Sequence, residues 1–244
     1  MNLQTENRLL RGFLKDQADL DSSERSAMFH LLQKHFKGVT QVSFERDLQE
    51  KNQVILLKDA AGVLSGFTTL KFYDAIFRAE TVRIIFSGDT IVEPASWGST
   101  ALPKTWIEAA IRHREKEPKK KLFWLLICSG YRTYHFLRLF FKKFYPRFDE
   151  TTPEDIRTLR DQLAQGRYGS QYDPQRGVLC FKEGAQALSP GIGDVTPEKL
   201  RNPHIAFFTQ ANPGHFRGDE LVCLTEVADD NVTAVWHRLL RGGT

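Results

Sequence analysis

The sequence predicts an α+β fold: a mixed, mostly antiparallel central sheet flanked by helices, with an elaborated C-terminal part. Three observations predict it. Hydrophobic periodicity changes from helical to strand-like near residue 53, and three strand-like segments then follow one another across tight turns. A continuous apolar run, Leu122–Cys128, then lies between two amphipathic helical segments, where a strand with helices before and after it is expected. A hairpin meander followed by helix–strand–helix combines antiparallel pairing with a crossover. The 244 residues suffice for a sizeable core, and 41% hydrophobic with 26% charged residues excludes a disordered, collagen-like or disulfide-stapled chain.

The elements follow in order. Met28, Leu31, Leu32 and Phe36 recur at helical spacing and Phe44 and Leu48 lie four apart, which predicts two helices broken near Gly38. Gln53–Lys58 reads as a strand, Asp59-Ala-Ala-Gly62 as a turn with glycine at a positive φ, and 63–77 as a long second strand. Arg78-Ala79-Glu80 is a second tight connection into a third strand over 81–92. After the loop Glu93-Pro-Ala-Ser-Trp-Gly-Ser99 comes a helix over 100–117, with Trp106, Ile107, Ala110 and Ile111 inward and Pro103 in its first turn. The helix after Leu122–Cys128 carries Phe136, Leu137, Phe140, Phe141 and Phe144 on one stripe, opposite Arg138, Lys142 and Lys143.

Thr152-Pro153-Glu154-Asp155 announces a further helix by cap, N1 proline and acidic first turn, and Gly166 is expected to end it. Short strands are expected over 178–181, 205–210 and 220–225, a closing helix near 231–240, and a mobile Gly/Pro-rich loop over 189–202. The chain divides into an N-terminal extension (1–21), a core (22–150) and a C-terminal part (151–244) that completes the sheet and adds a helix and a loop.

Other classes lose ground on counting. Thirty-four basic and 30 acidic residues leave a charge of +4, too mild for a dedicated nucleic-acid binder. The basic stretch 112–121 suits a helix C-terminus and, as a second reading, an acidic partner. Cys128, Cys180 and Cys223 sit in apolar runs without a CxxC pair, so no metal site and a cytoplasmic, reducing setting are expected. No run is long enough to span a membrane and no signal peptide is evident. GxSxG and HExxH are absent, and Gly191-Ile-Gly193 lacks the continuation of a dinucleotide site. The 18 Phe residues imply a bulky core or a ring-lined cavity.

Several segments together resemble the GNAT superfamily of N-acetyltransferase-type acyltransferases. Gly62-Val-Leu-Ser-Gly66-Phe-Thr-Thr-Leu70 resembles the family's second hairpin. Ile91-Val-Glu-Pro94-Ala-Ser-Trp-Gly98-Ser-Thr100 resembles its fourth strand running into the phosphate loop, and 122–130 stands where its fifth strand belongs. The resemblance implies a GNAT-like sheet and transfer of an acyl group from a pantetheine thioester to a primary amine. It implies that the fourth and fifth strands part to admit the pantetheine, with a backbone amide near Ile91 or Val92 on the thioester carbonyl. Trp97, Gly98, Ser99, Thr100 and Ala101 would then line the phosphate site. Of the usual glycines only Gly98 is present; Trp97 stands in place of an arginine, and Thr100 and Leu102 in place of two glycines. Two donors stay open: acyl-CoA, held by the helix N-terminus and the Ser99 and Thr100 hydroxyls, or acyl-phosphopantetheine on an acidic acyl carrier protein.

Acid–base candidates flank the expected slot. Asp89 is the acidic residue of 81–92, and strict alternation groups it with Arg83, Ile85, Ser87 and Ile91, opposite Ile84, Phe86 and Val92. It reads either as a base with raised pKa or as the partner of an arginine. Tyr131 and Tyr134 lie three apart at a helix start, so either phenol is placed to protonate a leaving thiolate, and His135 titrates in the range of a base. His204 and His215 flank 205–210 on the expected acceptor side. Phe123, Phe136, Phe140, Phe141 and Phe144 suit a core or an acyl chain longer than acetyl, which extends the reading to fatty acylation of a peptide or natural-product amine. The rival reading is a catalytically degenerate GNAT-fold module that binds a peptide or a carrier protein.

Overall fold

A computed structural model of the chain describes residues 10–181 and 186–241. The parts of the N-terminal extension and of the C-terminal part at 1–9, 182–185 and 242–244 lie outside the described residues. In chain order the elements are β1 (Arg11–Asp16), α1 (Ser22–His35), β2 (Phe36–Lys37), α2 (Gln41–Gln49), β3 (Gln53–Lys58), β4 (Leu64–Phe77) and β5 (Glu80–Val92). There follow α3 (Ala101–Lys116), β6 (Leu122–Cys128), α4 (Tyr131–Phe140), α5 (Glu154–Tyr168), β7 (Tyr172–Asp173) and β8 (Val178–Leu179). The last are β9 (Ala187–Leu188), α6 (Pro203–Ala211), β10 (Glu220–Glu226) and α7 (Ala234–Arg241).

Eight strands form one sheet in the order β1-β3-β4-β5-β6-β10-β8-β7, and β2 pairs with β9 in a separate ribbon. The β5–β6 pair is parallel and the other neighbours are antiparallel. This is the mixed, mostly antiparallel sheet expected from the GNAT resemblance. One face packs on α3, α4, α6 and α7 through Trp106, Trp124, Tyr134, Phe208 and Trp236. The other face packs on α1, α2 and α5 through Met28, Phe44 and Leu159. Capping boxes fix where α1 and α2 begin: Asp21 with Glu24, and Thr40 with Ser43.

Five expectations change. Residues 11–16 are not an extension but strand β1, paired from Arg11↔Lys58 to Asp16↔Gln53. An edge strand needs little apolar patterning, since its backbone ladder holds it. Residues 205–210 form helix α6, not a strand, because Asn202 caps the His204 N–H and Pro203 occupies the first turn. A short apolar run fits either structure until its cap is recognised. Helix α5 passes through Gly166 and stops at Gly169, whose φ of 55° a side chain would strain, and Pro153 is its N-cap rather than N1. Helix α4 ends at Phe140, so Phe141 and Phe144 are buried in the following segment rather than on its stripe. The expected strand 178–181 is regular only over Val178–Leu179.

The sheet carries one irregularity that matters for function. Along β4 and β5, Thr68 pairs with Thr90 and Leu70 with Ser87, so Thr69 faces both Gly88 and Asp89. That is a β-bulge, and it reverses the alternation beyond it. Ser87 points to the α3 side, where its Oγ accepts from the Trp106 and Trp124 indoles at 3.2 and 2.9 Å. Ile91 then packs with the α1–α2 cluster rather than with Ile85. The grouping of Asp89 and Ile91 with Ser87 and Ile85 is therefore overturned.

Candidate active site

The bulge coincides with a fork. β5 pairs with β6 only from Arg83↔Leu122 to Ser87↔Leu126. Beyond that, Ile127 and Cys128 pair with Val222 and Leu221 of β10, while β5 continues beside β4 alone. The indole-anchored Ser87 is the apex of the wedge. A cavity of about 720 Å³ fills it, lined by both strand ends and by α3, α4, α5 and α7.

The mouth of the wedge is the loop between β5 and α3. Trp97 folds back so that its Nε1–H donates to the Val92 carbonyl at 2.9 Å. Ser99 Oγ accepts from the Ala101 N–H at 3.2 Å, whereas Thr100, the N-cap of the 16-residue α3, makes no side-chain cap. The space beside Gly98 is open. First-turn N–H groups and the helix dipole make this end receptive to an anion. A cation arrives from another element: the Arg132 guanidinium, in the first turn of α4, stacks 3.6 Å over the Trp97 ring. Ile91, Val92, Trp97, Gly98, Ser99 and Thr100 all line the cavity; Ala101 is half-buried and packs on the core beside it.

Deeper in, the walls become charged. Gly88 is needed for close approach, because a Cβ there would lie 2.5 Å from Thr69 Oγ1 and 2.6 Å from Lys51 Cε. Lys51 is 7% exposed, and its Nζ donates to the Asp47 carbonyl at 2.8 Å. Burial pushes its pKa down, with the charge of Asp89 opposing. Asp89 is pushed up by burial, while Lys51 and a hydrogen bond with Gln186 pull it back. The Arg167 guanidinium lies 4.2 Å over the Phe86 ring and 2.9 Å from Glu50. Across the wedge, Glu220 opens β10 and accepts a short hydrogen bond from the Ser129 hydroxyl. Burial raises its pKa to about 7, Ser129 opposing and Asp89 adding to the shift.

Four acid–base candidates thus fall in different places. Asp89, Tyr131 and His135 line the cavity. Tyr131 is buried at the start of α4, and His135 is half-buried, its pKa lowered first by burial and then by Arg138. Tyr134 is elsewhere: 1% exposed in the core, it donates to the Pro146 carbonyl at 2.9 Å, and burial pushes its pKa well up. It is a packing residue, and the expectation that both tyrosines face the slot is corrected. His204 packs among Tyr134, Phe144 and Phe148, and His215 against Phe208 and Phe216, neither in the wedge. The sequence reading did not single out Lys51, Arg132, Ser129 or Glu220. The signal for Glu220 was an acid opening the apolar run Leu221 to Leu224; the other three leave no local trace.

Among the described residues no group of three or more His, Cys, Asp or Glu is arranged to hold a metal, and no helix is long and apolar enough to cross a membrane. No family profile and no curated protein matches the chain. Solved structures similar to it include a conserved Enterococcus faecalis protein described as a probable N-acyltransferase (10% identity, 91% of this chain and 67% of that one, TM-score 0.40). Another is the Escherichia coli GNAT family N-acetyltransferase YhbS in complex with CoA (11% identity, 55% of this chain and 70% of that one, TM-score 0.38). A third is Arabidopsis thaliana glucosamine-6-phosphate N-acetyltransferase (14% identity, 58% of this chain and 97% of that one, TM-score 0.38).

Proposed function

We propose that the chain is a GNAT-type N-acyltransferase that moves an acyl group from a pantetheine thioester to a primary amine. The observation that carries this reading is the fork of β5 and β6 at Ser87, with a cavity running from the helix N-terminus of α3 to the half-buried carboxylates Asp89 and Glu220. A parallel pair that parts leaves backbone groups without ladder partners, and an extended amide-bearing arm such as pantetheine satisfies them. The donor's phosphate sits at the α3 N-terminus, with Arg132 supplying positive charge and the open space at Gly98 admitting it. The thioester carbonyl lies beside Ile91 or Val92, one of whose N–H groups polarises it.

The amine approaches from the α1–α2–α5 side, where Asp89 and its neighbours accept protons. Its nitrogen attacks the carbonyl carbon, the carbon–sulfur bond breaks, and Tyr131 at the slot provides a proton for the thiolate. Acyl-CoA is the first choice of donor. An acidic acyl carrier protein is the second, since a single phosphate needs a smaller cradle than a pyrophosphate. Phe136, Leu139, Phe140 and Leu239 line the same cavity and favour a chain longer than acetyl, consistent with fatty acylation of a peptide or natural-product amine.

The test is a thermal-shift series with coenzyme A, acetyl-CoA and acyl-CoAs of rising chain length, followed by intact mass. A ligand at about 100 times its Kd adds roughly 2.7 kcal/mol. A shift that grows with chain length is expected. A shift independent of length removes the fatty-chain part. No shift with any of them, and none with an acylated carrier protein, overturns the donor site and leaves a binding module.

A further inference from the structure

Among the described residues on the α1–α2–α5 side of the wedge most charges find ionic partners, and one does not. Lys51 is balanced by Asp89, Arg167 by Glu50 at 2.9 Å, and Asp47 lies 3.7 Å from Arg46. Glu220 has no cation within ion-pair distance among the described residues; its one side-chain partner is the neutral Ser129 hydroxyl. The same cavity is lined by Phe86 from β5, Ile127 from β6, Tyr168 from the end of α5 and Phe181 after β8, with the Arg167 guanidinium over the Phe86 ring. A half-buried carboxylate at a cavity wall and lacking a cation is stabilised by whatever positive group enters.

Resting on the N-acyltransferase reading, we infer that this chamber is the acceptor site. It takes an unbranched alkyl primary amine with no second charge near the nitrogen, the ammonium seated on Glu220 and the methylenes lying among Phe86, Ile127, Tyr168 and Phe181. A carboxylate beside the amine would face Asp89 and Glu220, and a second ammonium would face Lys51 and Arg167. A stem without charge packs on the Phe86 and Tyr168 rings and on Ile127 and Phe181 without opposing the charges of Lys51, Arg167 or Asp89. In the reaction Glu220 accepts one proton from the ammonium and frees the lone pair. Nitrogen bonds to the thioester carbon, the carbon–sulfur bond breaks onto sulfur, Tyr131 gives its proton to the thiolate and takes the remaining proton from nitrogen, leaving amide, thiol, intact Tyr131 and protonated Glu220. Water then removes that proton.

The groups that face Glu220 are Asp89 of β5, Ser129 and Cys128 at the end of β6, and Tyr168 of α5, with Lys51 and Arg167 behind Asp89 and Tyr168. Its pKa of about 7 makes the ionised fraction, and hence ammonium affinity, rise about tenfold between pH 6 and pH 8. The amine itself stays protonated over that range.

The experiment is calorimetric titration of the full chain with n-pentylamine, n-pentanol and norvaline at both pH values, with the coenzyme A thermal shift read in parallel. Saturable pentylamine binding, about tenfold tighter at pH 8, is expected, with neither pentanol nor norvaline matching it. Glu220→Gln should weaken pentylamine at least tenfold and keep the coenzyme A response, which also reports that the variant folds. Equal binding by Glu220→Gln, loss in Asp89→Asn instead, or a flat pH dependence in the unaltered chain overturns the assignment. A coenzyme A shift with no pentylamine binding overturns this inference alone. Pentylamine binding with no donor shift preserves the chamber and overturns the donor reading.

Discussion

The two ends of the wedge are built from different materials. The mouth consists of backbone: helix N–H groups, an open glycine, a Trp97 indole turned onto Val92, and one exposed cation stacked from α4. The inner chamber consists of side chains, with Lys51 from the turn after α2 and Asp89, Arg167 and Glu220 brought in from β5, α5 and β10. Backbone recognition tolerates side-chain substitution, because its donors belong to every residue type. A buried charge cluster does not, because removing one member strands another. On the proposed reading the mouth therefore tolerates substitution as an anion site, while the chamber sets which acceptor is used.

The strongest way to break that contrast is Glu220→Gln. It should lower turnover of an amine acceptor by about 10²–10⁴ at pH 8 and abolish the acid limb of the rate profile near pH 7. A profile unchanged from pH 6 to pH 8 would show that another group accepts the proton. Next comes Gly88→Ala, whose Cβ would displace Lys51 Cε and Thr69 Oγ1 from 2.6 and 2.5 Å. Overpacking of this kind costs about 1–3 kcal/mol, read as a lower urea midpoint with an unchanged slope.

Arg132→Ala probes the mouth. It should raise KM for the donor about tenfold and leave kcat alone, since a phosphate contact is made equally in ground and transition states. A fall in kcat would place Arg132 at the reacting atoms and erase the distinction between the ends. The smallest effect belongs to Tyr134→Phe, which should cost about 1 kcal/mol of stability through the lost bond to Pro146 and spare turnover. Loss of turnover with stability intact would return Tyr134 to the slot.

Much of the fold was legible because period and length were unambiguous. Leu122–Cys128 is a strand from first residue to last, and the meander and the helix before it lie within a residue or two of expectation. The misplaced elements are those whose identity rests on partners. β1 exists because β3 offers it an edge, and α6 is a helix because Asn202 caps it. Asp89 was recognisable as an acid on a strand of the site, but its face was not, since a bulge appears only when Gly88 and Asp89 are set against Thr69 across the sheet.

By itself the sequence determined the α+β class, the order of most elements, the loop that becomes the mouth, and Asp89, Tyr131 and His135 as side chains that line the cavity. These follow from local periodicity and from residue chemistry, which neighbours along the chain reveal. Only the tertiary structure decided which groups meet there. Glu220 lies 91 residues beyond Ser129, and Arg132 and Trp97 come from separate elements. Their pairing, and the burial that raises the Glu220 carboxyl to about 7, arise when strand order brings β10 beside β6 and the parting of β5 from β6 opens the wedge between them.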